Sequence, residues 1–248
     1  MKLNATSAIL ILATLTSSLS VAAETAAGIG LDNQGANLKL QYEASSTSSL
    51  TKGIVELKGI AGDSLGWSGT EQRDNSIDSV RARLFSNSKT SGLGFYMDAN
   101  YDVERESADL SANMSWHYQY QKLEVLPYVG MGLTLVNGQL PLEEYGYPID
   151  DHVTGYTLPG SYGQVGAYLS YHLLDNLTFT YNPEYRATLG GAASYVNAYY
   201  EGDSSQFHNE VRLSYAINKQ WDVQYHSEWY AGDKSSDVVQ GLEFNYHF

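Results

Sequence analysis

No cysteine occurs among the 248 residues, which removes disulfides, thiolate metal sites and cysteine nucleophiles together. Positive charge is scarce: 14 Lys+Arg stand against 28 Asp+Glu, a formal net charge of −14. That balance excludes a general grip on nucleic acid, whose phosphates need cationic partners. The chain also lacks an apolar run of the ~20 residues that a spanning helix requires. Charged residues make up only 17% of the chain, whereas there are 23 glycines and 21 tyrosines. Soluble helical domains are richer in Lys, Glu, Ala and Leu.

What is present begins with an address. Lys2 supplies a positive start, Ala8–Leu15 a short apolar core, and Val21-Ala22-Ala23 small residues before Glu24. Residues 1–23 are therefore expected to be a cleaved secretory leader, and 24–248 a single exported domain.

From Asn37 onward the dominant period is two. Leu242, Phe244, Tyr246 and Phe248 alternate with Gly241, Glu243, Asn245 and His247. Strands place alternate side chains on opposite faces, so this pattern is one apolar face and one polar face. It recurs at Leu110–Tyr120, Leu177–Arg186, Phe207–Ile217 and Trp221–Trp229. Further strands are expected at Leu38–Ala44, Ile54–Ile60, Ile77–Ser86, Leu93–Asp102, Leu123–Leu133 and Tyr162–Leu173.

A soluble sandwich turns such apolar faces inward, whereas a transmembrane barrel turns them outward to lipid and keeps a polar interior. The polar face gathers Lys39, Glu43, Glu56, Lys58, Arg81, Arg83, Asp98, Asp102, Glu124, Glu184, Arg186, Glu210, Arg212, Asp222, Glu228 and Glu243. The apolar face carries one charge, Asp78, with Pro183, Asn209 and Ser227 as further blemishes. The membrane reading follows. Connections also alternate between tight (Leu174–Asn176, Ile217–Gln220) and long (Ile60–Asn75, Val136–Ser161, Gly190–Ser205), as in barrels with short periplasmic turns and long external loops. Eleven clear strands and a weaker first one at Thr25–Leu31 make an all-β, antiparallel up-and-down barrel of 12 strands, with 10 as the alternative. Pro127 and Pro183, which cannot donate to a ladder, are expected at local bulges.

The chain resembles a small Gram-negative outer-membrane barrel. The features that carry the resemblance are the leader, the strand at Pro127-Tyr128-Val129-Gly130 and the aromatic end Leu242-Glu243-Phe244-Asn245-Tyr246-His247-Phe248. Alternate aromatic residues ending in Phe248 resemble the signal read by the barrel-assembly machinery, carried here by Leu242, Phe244, Tyr246 and Phe248. Within the class, the strand count and the tail from Asn209 to Phe248, with its Asn-Lys-Gln-Trp turn, are similar to the monomeric oligogalacturonate-specific porin family. The resemblance implies a bacterial outer-membrane location, contact with lipid and lipopolysaccharide, and a basic interior for acidic sugars. The inner face inferred here departs from that, with six basic and ten acidic residues in the set above.

The expected function is a porin-like channel for passive diffusion of small hydrophilic solutes, preferring cations or admitting small sugars. Its pore-lining candidates are Arg81, Arg83, Asp98, Glu184, Arg186, Glu210, Arg212, Glu228, Tyr96 and Tyr168. Arginines on three strands facing carboxylates on others would set a transverse field, and the acid excess would favour cations. Alternation alone leaves open a barrel filled by paired charges. It also leaves open whether Tyr96, Tyr128, Tyr168 and Tyr230 stack sugar rings or fill space. The alternative function is a structural or adhesin barrel acting through acidic external loops. A hydrolase is the least supported, because Ser227 has no histidine on its face and Asp150-Asp151-His152 lacks a second acidic pair. No cofactor, metal or catalytic residue is implied.

Overall fold

A computed structural model describes residues 22–67, 76–138, 140 and 154–248. The stretch 1–23 expected to be a leader, apart from Ala22 and Ala23, lies outside these residues, as do Asp150, Asp151 and His152. Thirteen strands are present among the described residues. In chain order they are β1 (Ala22–Asp32), β2 (Gly35–Ser45), β3 (Ser49–Ile60), β4 (Ser79–Ser88), β5 (Leu93–Asp102), β6 (Ser107–Trp116) and β7 (Tyr118–Tyr120). They continue with β8 (Leu123–Asn137), β9 (Tyr156–Leu174), β10 (Leu177–Gly191), β11 (Ser205–Ala216), β12 (Trp221–Tyr230) and β13 (Val239–His247). Among the described residues two short helices, α1 (Gly62–Leu65) and α2 (Ala193–Ala198), sit in connections.

Every pairing is antiparallel between chain neighbours, and β1 closes on β13 through Ala26↔His247 to Asp32↔Gly241. β6 and β7 pair with β8 in one unbroken register, Ser115↔Tyr128 followed by Tyr118↔Val125. They are two halves of a single stave, and the barrel therefore has twelve staves. Closure leaves no open sheet edge, which the hydrocarbon of a bilayer demands.

The outer wall is apolar. Ile29, Met114, Val129, Met131, Leu242 and Phe244 all project outward and are at least half exposed. Trp221, Tyr171, Tyr118 and Phe248 ring the end with turns of two to four residues, and Tyr101, Tyr156, Tyr185 and Trp229 lie toward the other. Rings with a polar tip favour these interfaces. The short-turn end is the periplasmic end by the rule for such barrels. Asn209, on the lipid side, has its amide oxygen bonded by the Tyr181 hydroxyl at 2.7 Å, which satisfies that acceptor inside the apolar wall.

Three local expectations are corrected. The strands flanking the long external loop run on to Asn137 and from Tyr156, leaving residues 138–155 as the connection. Pro159, Gly160 and Ser161 hide that continuation by interrupting the apolar alternation. The connection after β10 holds α2 in place of a plain loop. Neither proline makes a bulge. Trp116 and His117 on the neighbouring stave, which the register would place opposite Pro127 and Leu126, make no ladder pair with β8, Trp116 pairing instead with Leu93 on β5, so the proline's missing N–H falls in a gap of the ladder. The His117 N–H turns the other way and donates to Gly92 O at 2.8 Å. Gly92 (φ +73°) fits there because it lacks a Cβ, which would collide with His117 O and press on the Trp116 ring. Pro183 likewise falls in a gap of the β10–β9 ladder, between Tyr181↔Leu169 and Glu184↔Gly166, with no register shift.

Candidate functional site in the barrel interior

The alternation that sends aromatic and aliphatic groups outward sends the charged groups inward, where they meet across the barrel. Arg83 on β4 bonds Glu56 on β3 at 2.5 Å and reaches Glu210 on β11 at 3.5 Å. Arg212 on β11 pairs with Glu210 and, across the barrel, with Glu56 at 3.7 Å. Lys58 on β3 bonds Glu228 on β12 at 2.7 Å. Arg81 grips both oxygens of Asp98, its shortest bond 2.6 Å. Arg186 bonds Glu184 at 2.6 Å and lies 3.8 Å from Asp109. Such contacts between staves that are not neighbours place all of these groups inside.

All ten sequence-derived lining candidates lie in this interior, but they are packed together at mid-height. Tyr96 is 0% exposed, Glu210 1%, Glu184 2% and Arg83 3%. The anticipated transverse field is replaced by direct pairs: each arginine holds a carboxylate, and Glu228 holds a lysine. Ion pairs of this kind offset the large cost of removing each charge from water. Beside them, Phe85 stacks on Tyr96 with ring centroids 4.5 Å apart, and Tyr128 and Tyr168 lie edge-on to Tyr96 at 4.9 and 5.9 Å. The Tyr96 hydroxyl donates to Asp98 (2.8 Å) and that of Tyr128 to Glu184 (2.8 Å). These tyrosines therefore fill space and bind acids. Tyr230 differs: it is half exposed and tilts over His208 near the outer mouth.

Toward the periplasm the interior opens into a vestibule of about 900 Å³. Its inner end is formed by Arg83, Tyr168, Asn182, Glu210 and Arg212, and its walls include Lys52, Glu43, His117, Glu124 and Asp222. Two histidines at its rim bond carboxylates: His247 to Asp222 at 2.6 Å and His172 to Glu124 at 3.3 Å. The histidines do not converge, and no cluster of three potential ligands suited to a metal occurs among the described residues. On the outer side α2 lays Tyr195 into the mouth, where its hydroxyl meets Thr134 Oγ1 at 2.9 Å while Thr134 donates to Asp109 at 2.7 Å. Burial pushes the Tyr195 phenol up to about 12, so it stays protonated and neutral.

Sequence reasoning missed Lys52, Phe85, Asp109 and Tyr195. The first three sit on the inner parity of strands already recognised, and strict period-two counting would have found them. Tyr195 lies in a connection, where no periodicity speaks.

A closed twelve-stave barrel with an apolar, aromatic-rimmed outside and a charged inside is a bacterial outer-membrane β-barrel. Within that class, residues 153–242 match the model of the oligogalacturonate-specific porin protein family (KdgM), a stretch from β9 to β13 that is just over a third of the chain. No curated protein sequence matches. Among solved structures, the NanC porin shares the fold with a TM-score of 0.53 at 9% identity, over 91% of this chain and 99% of that one. The KdgM porin aligns with a TM-score of 0.46 at 10% identity, covering 91% and 99%. The translocator domain of autotransporter NalP from Neisseria meningitidis aligns with 0.48 at 10% identity, covering 97% and 92%.

Proposed function

We propose that this barrel is a non-enzymatic outer-membrane channel for passive passage of small hydrophilic solutes, with a preference for cations over anions. The observation that carries the reading is the inner wall: a periplasmic vestibule leads to a mid-height constriction built from charged side chains. A wall of ionised groups is suited to water and solutes. The match to an oligogalacturonate-specific porin family over residues 153–242 supports a channel role. It does not extend to acidic sugars, because the arginines of the constriction are matched to carboxylates and form no free basic track.

The test is the current through refolded protein in a planar bilayer under a salt gradient. Discrete steps with a cation-favouring reversal potential support the reading. Anion-favouring steps would transfer the assignment to acidic solutes, and a folded barrel that never conducts would exclude a channel. Glu210→Gln with Glu228→Gln should then shift selectivity toward anions, because Lys58, Arg83 and Arg212 lose matching charge. Unchanged selectivity would remove both acids from the pathway.

A further inference from the structure

The interior is not filled evenly around its circumference. On the β5–β10 side, rings and amides interlock: Gln164 bonds Ser111 and Asn113 at 3.1 and 2.9 Å, and the Tyr96 cluster closes the rest. The opposite side is built around β1, whose inward positions are Ala26, Gly28, Gly30 and Asp32. The two central ones have no side chain. Lys39 on β2 therefore passes over β1 and pairs with Glu243 on β13.

Two cavities flank that pair. One is the periplasmic vestibule. The other is a small space of about 20 Å³ further out, room for a water molecule, bounded by Glu56, Lys58, His226 and Glu228. They share Arg212 and Gln224 as walls. What divides them is side chain only: the Lys39 ammonium, bonded to Glu243 and to Gln224 Oε1 at 3.1 Å, and the Arg212–Glu56 contact at 3.7 Å. A further observation marks the same place. Asn245 Oδ1 is buried with no hydrogen-bond partner, and it lies directly over Gly28, where a Cβ would collide with it. A buried acceptor without a donor is costly, and a passing ammonium, hydroxyl or hydrated cation would supply one.

We propose that the permeation path of this channel runs off-centre along the glycine-lined face of β1, with Lys39 and Lys58 as its two tethered gates. The inference rests on the channel reading above. A permeant cation moving outward from the vestibule passes Asn245 Oδ1, displaces the Lys39 ammonium from Glu243, and then displaces the Lys58 ammonium from Glu228. The lysines occupy, on flexible stems, the positions that the solute cation takes in transit. Selection follows from this exchange: small donors that can satisfy Glu243 and Glu228 pass, and polyanions do not.

The experiment compares unitary conductance of refolded wild type with three variants, each checked for folding by heat-modifiable electrophoretic mobility. Gly28→Val puts a branched side chain into the path, where its neighbours are the movable ends of Asn245 and Glu243, and is expected to lower potassium conductance at least several-fold. Lys39→Met removes the first gate and should raise it several-fold. Gln164→Leu, in the packed opposite half, should leave it unchanged. A conducting wild type with Gly28→Val and Lys39→Met both at wild-type conductance would overturn the path while leaving the channel intact. A response to Gln164→Leu equal to that of Gly28→Val would do the same. Silence of wild type and of Lys39→Met alike would overturn the channel itself. Should Gly28→Val fail to fold, Lys39→Met against Gln164→Leu decides the matter.

Discussion

Arg83 on β4 and Glu210 on β11 meet at 3.5 Å across the full width of the barrel, six staves apart in either direction. Each side chain is 1% exposed, and the 2.5 Å bond to Glu56 holds the guanidinium at that reach. Replacing Arg83 by Met keeps an unbranched apolar stem and removes the guanidinium, so Glu56 and Glu210 are left to share Arg212. Breaking a buried pair from one side typically costs ~3–5 kcal/mol. We expect R83M to unfold at lower denaturant by an amount within that range. Its single channels should be larger and more cation-selective than wild type. A variant of unaltered stability and conductance would show that this crossing contact holds nothing together.

The lipid-facing polar pair gives a second prediction. The Tyr181 hydroxyl donates to Asn209 Oδ1 at 2.7 Å on the outer wall, where Asn209 is 6% exposed. Tyr181→Phe leaves the amide oxygen without this donor and should cost ~1–3 kcal/mol. Adding Asn209→Leu should recover most of that loss, since both polar partners are then gone. Equilibrium unfolding of the two single variants and the double variant in lipid vesicles measures the coupling. Strictly additive losses would mean the bond contributes nothing.

Pro127 supplies a third. Because it falls opposite Trp116 and His117, which make no ladder pair with β8, restoring its N–H with Pro127→Ala should change stability by less than ~1 kcal/mol. A proline placed two residues on, as Val129→Pro, enters the intact Met114↔Val129 pairing and should prevent assembly. The same refolding assay reads both, and equal behaviour of the two variants would refute the explanation by a pre-existing gap.

The twelve staves were legible because a bilayer enforces period two more strictly than a soluble core does. Outward positions meet hydrocarbon and inward ones meet charge, so Leu242, Phe244 and Tyr246 declare a face without any tertiary knowledge. Legibility failed where that enforcement stops. Beyond the membrane, around Asn137 and Tyr156, side chains on both faces meet water and the alternation fades while the ladder continues. Tyr195 was invisible for the same reason. Inside, alternation put Arg83 and Glu210 on one face of their strands but could not reveal that they touch, because contact across a barrel depends on stave number and stagger. The β1 wall was readable only in part: Gly28 and Gly30 look like weak strand residues until closure shows that the side chains of Asn245 and Glu243 lie over them.

The final strand yields the last prediction. Phe248 is 78% exposed, its N–H donates to Thr25 O at 2.9 Å, and its ring meets Tyr246 edge-on at 5.0 Å. These are few contacts, and the ring lies in the periplasmic aromatic belt, so its removal should change the stability of the finished barrel by ~1 kcal/mol or less. If the alternate residues Leu242, Phe244, Tyr246 and Phe248 instead serve as the tag that the barrel-assembly machinery reads, the consequence falls on delivery. Phe248→Ala should then refold in vitro like wild type, yet reach the outer membrane of living cells several-fold less, with unassembled chain accumulating in the periplasm. Met131→Arg is the contrasting case, because it places a charge on the lipid face near the middle of β8 and should cost ~2–4 kcal/mol in any setting. Quantifying heat-modifiable protein in membrane fractions beside in vitro refolding yields separates the two behaviours. Equal loss of Phe248→Ala in both assays would make the terminal ring a structural element and end its assignment as an assembly signal.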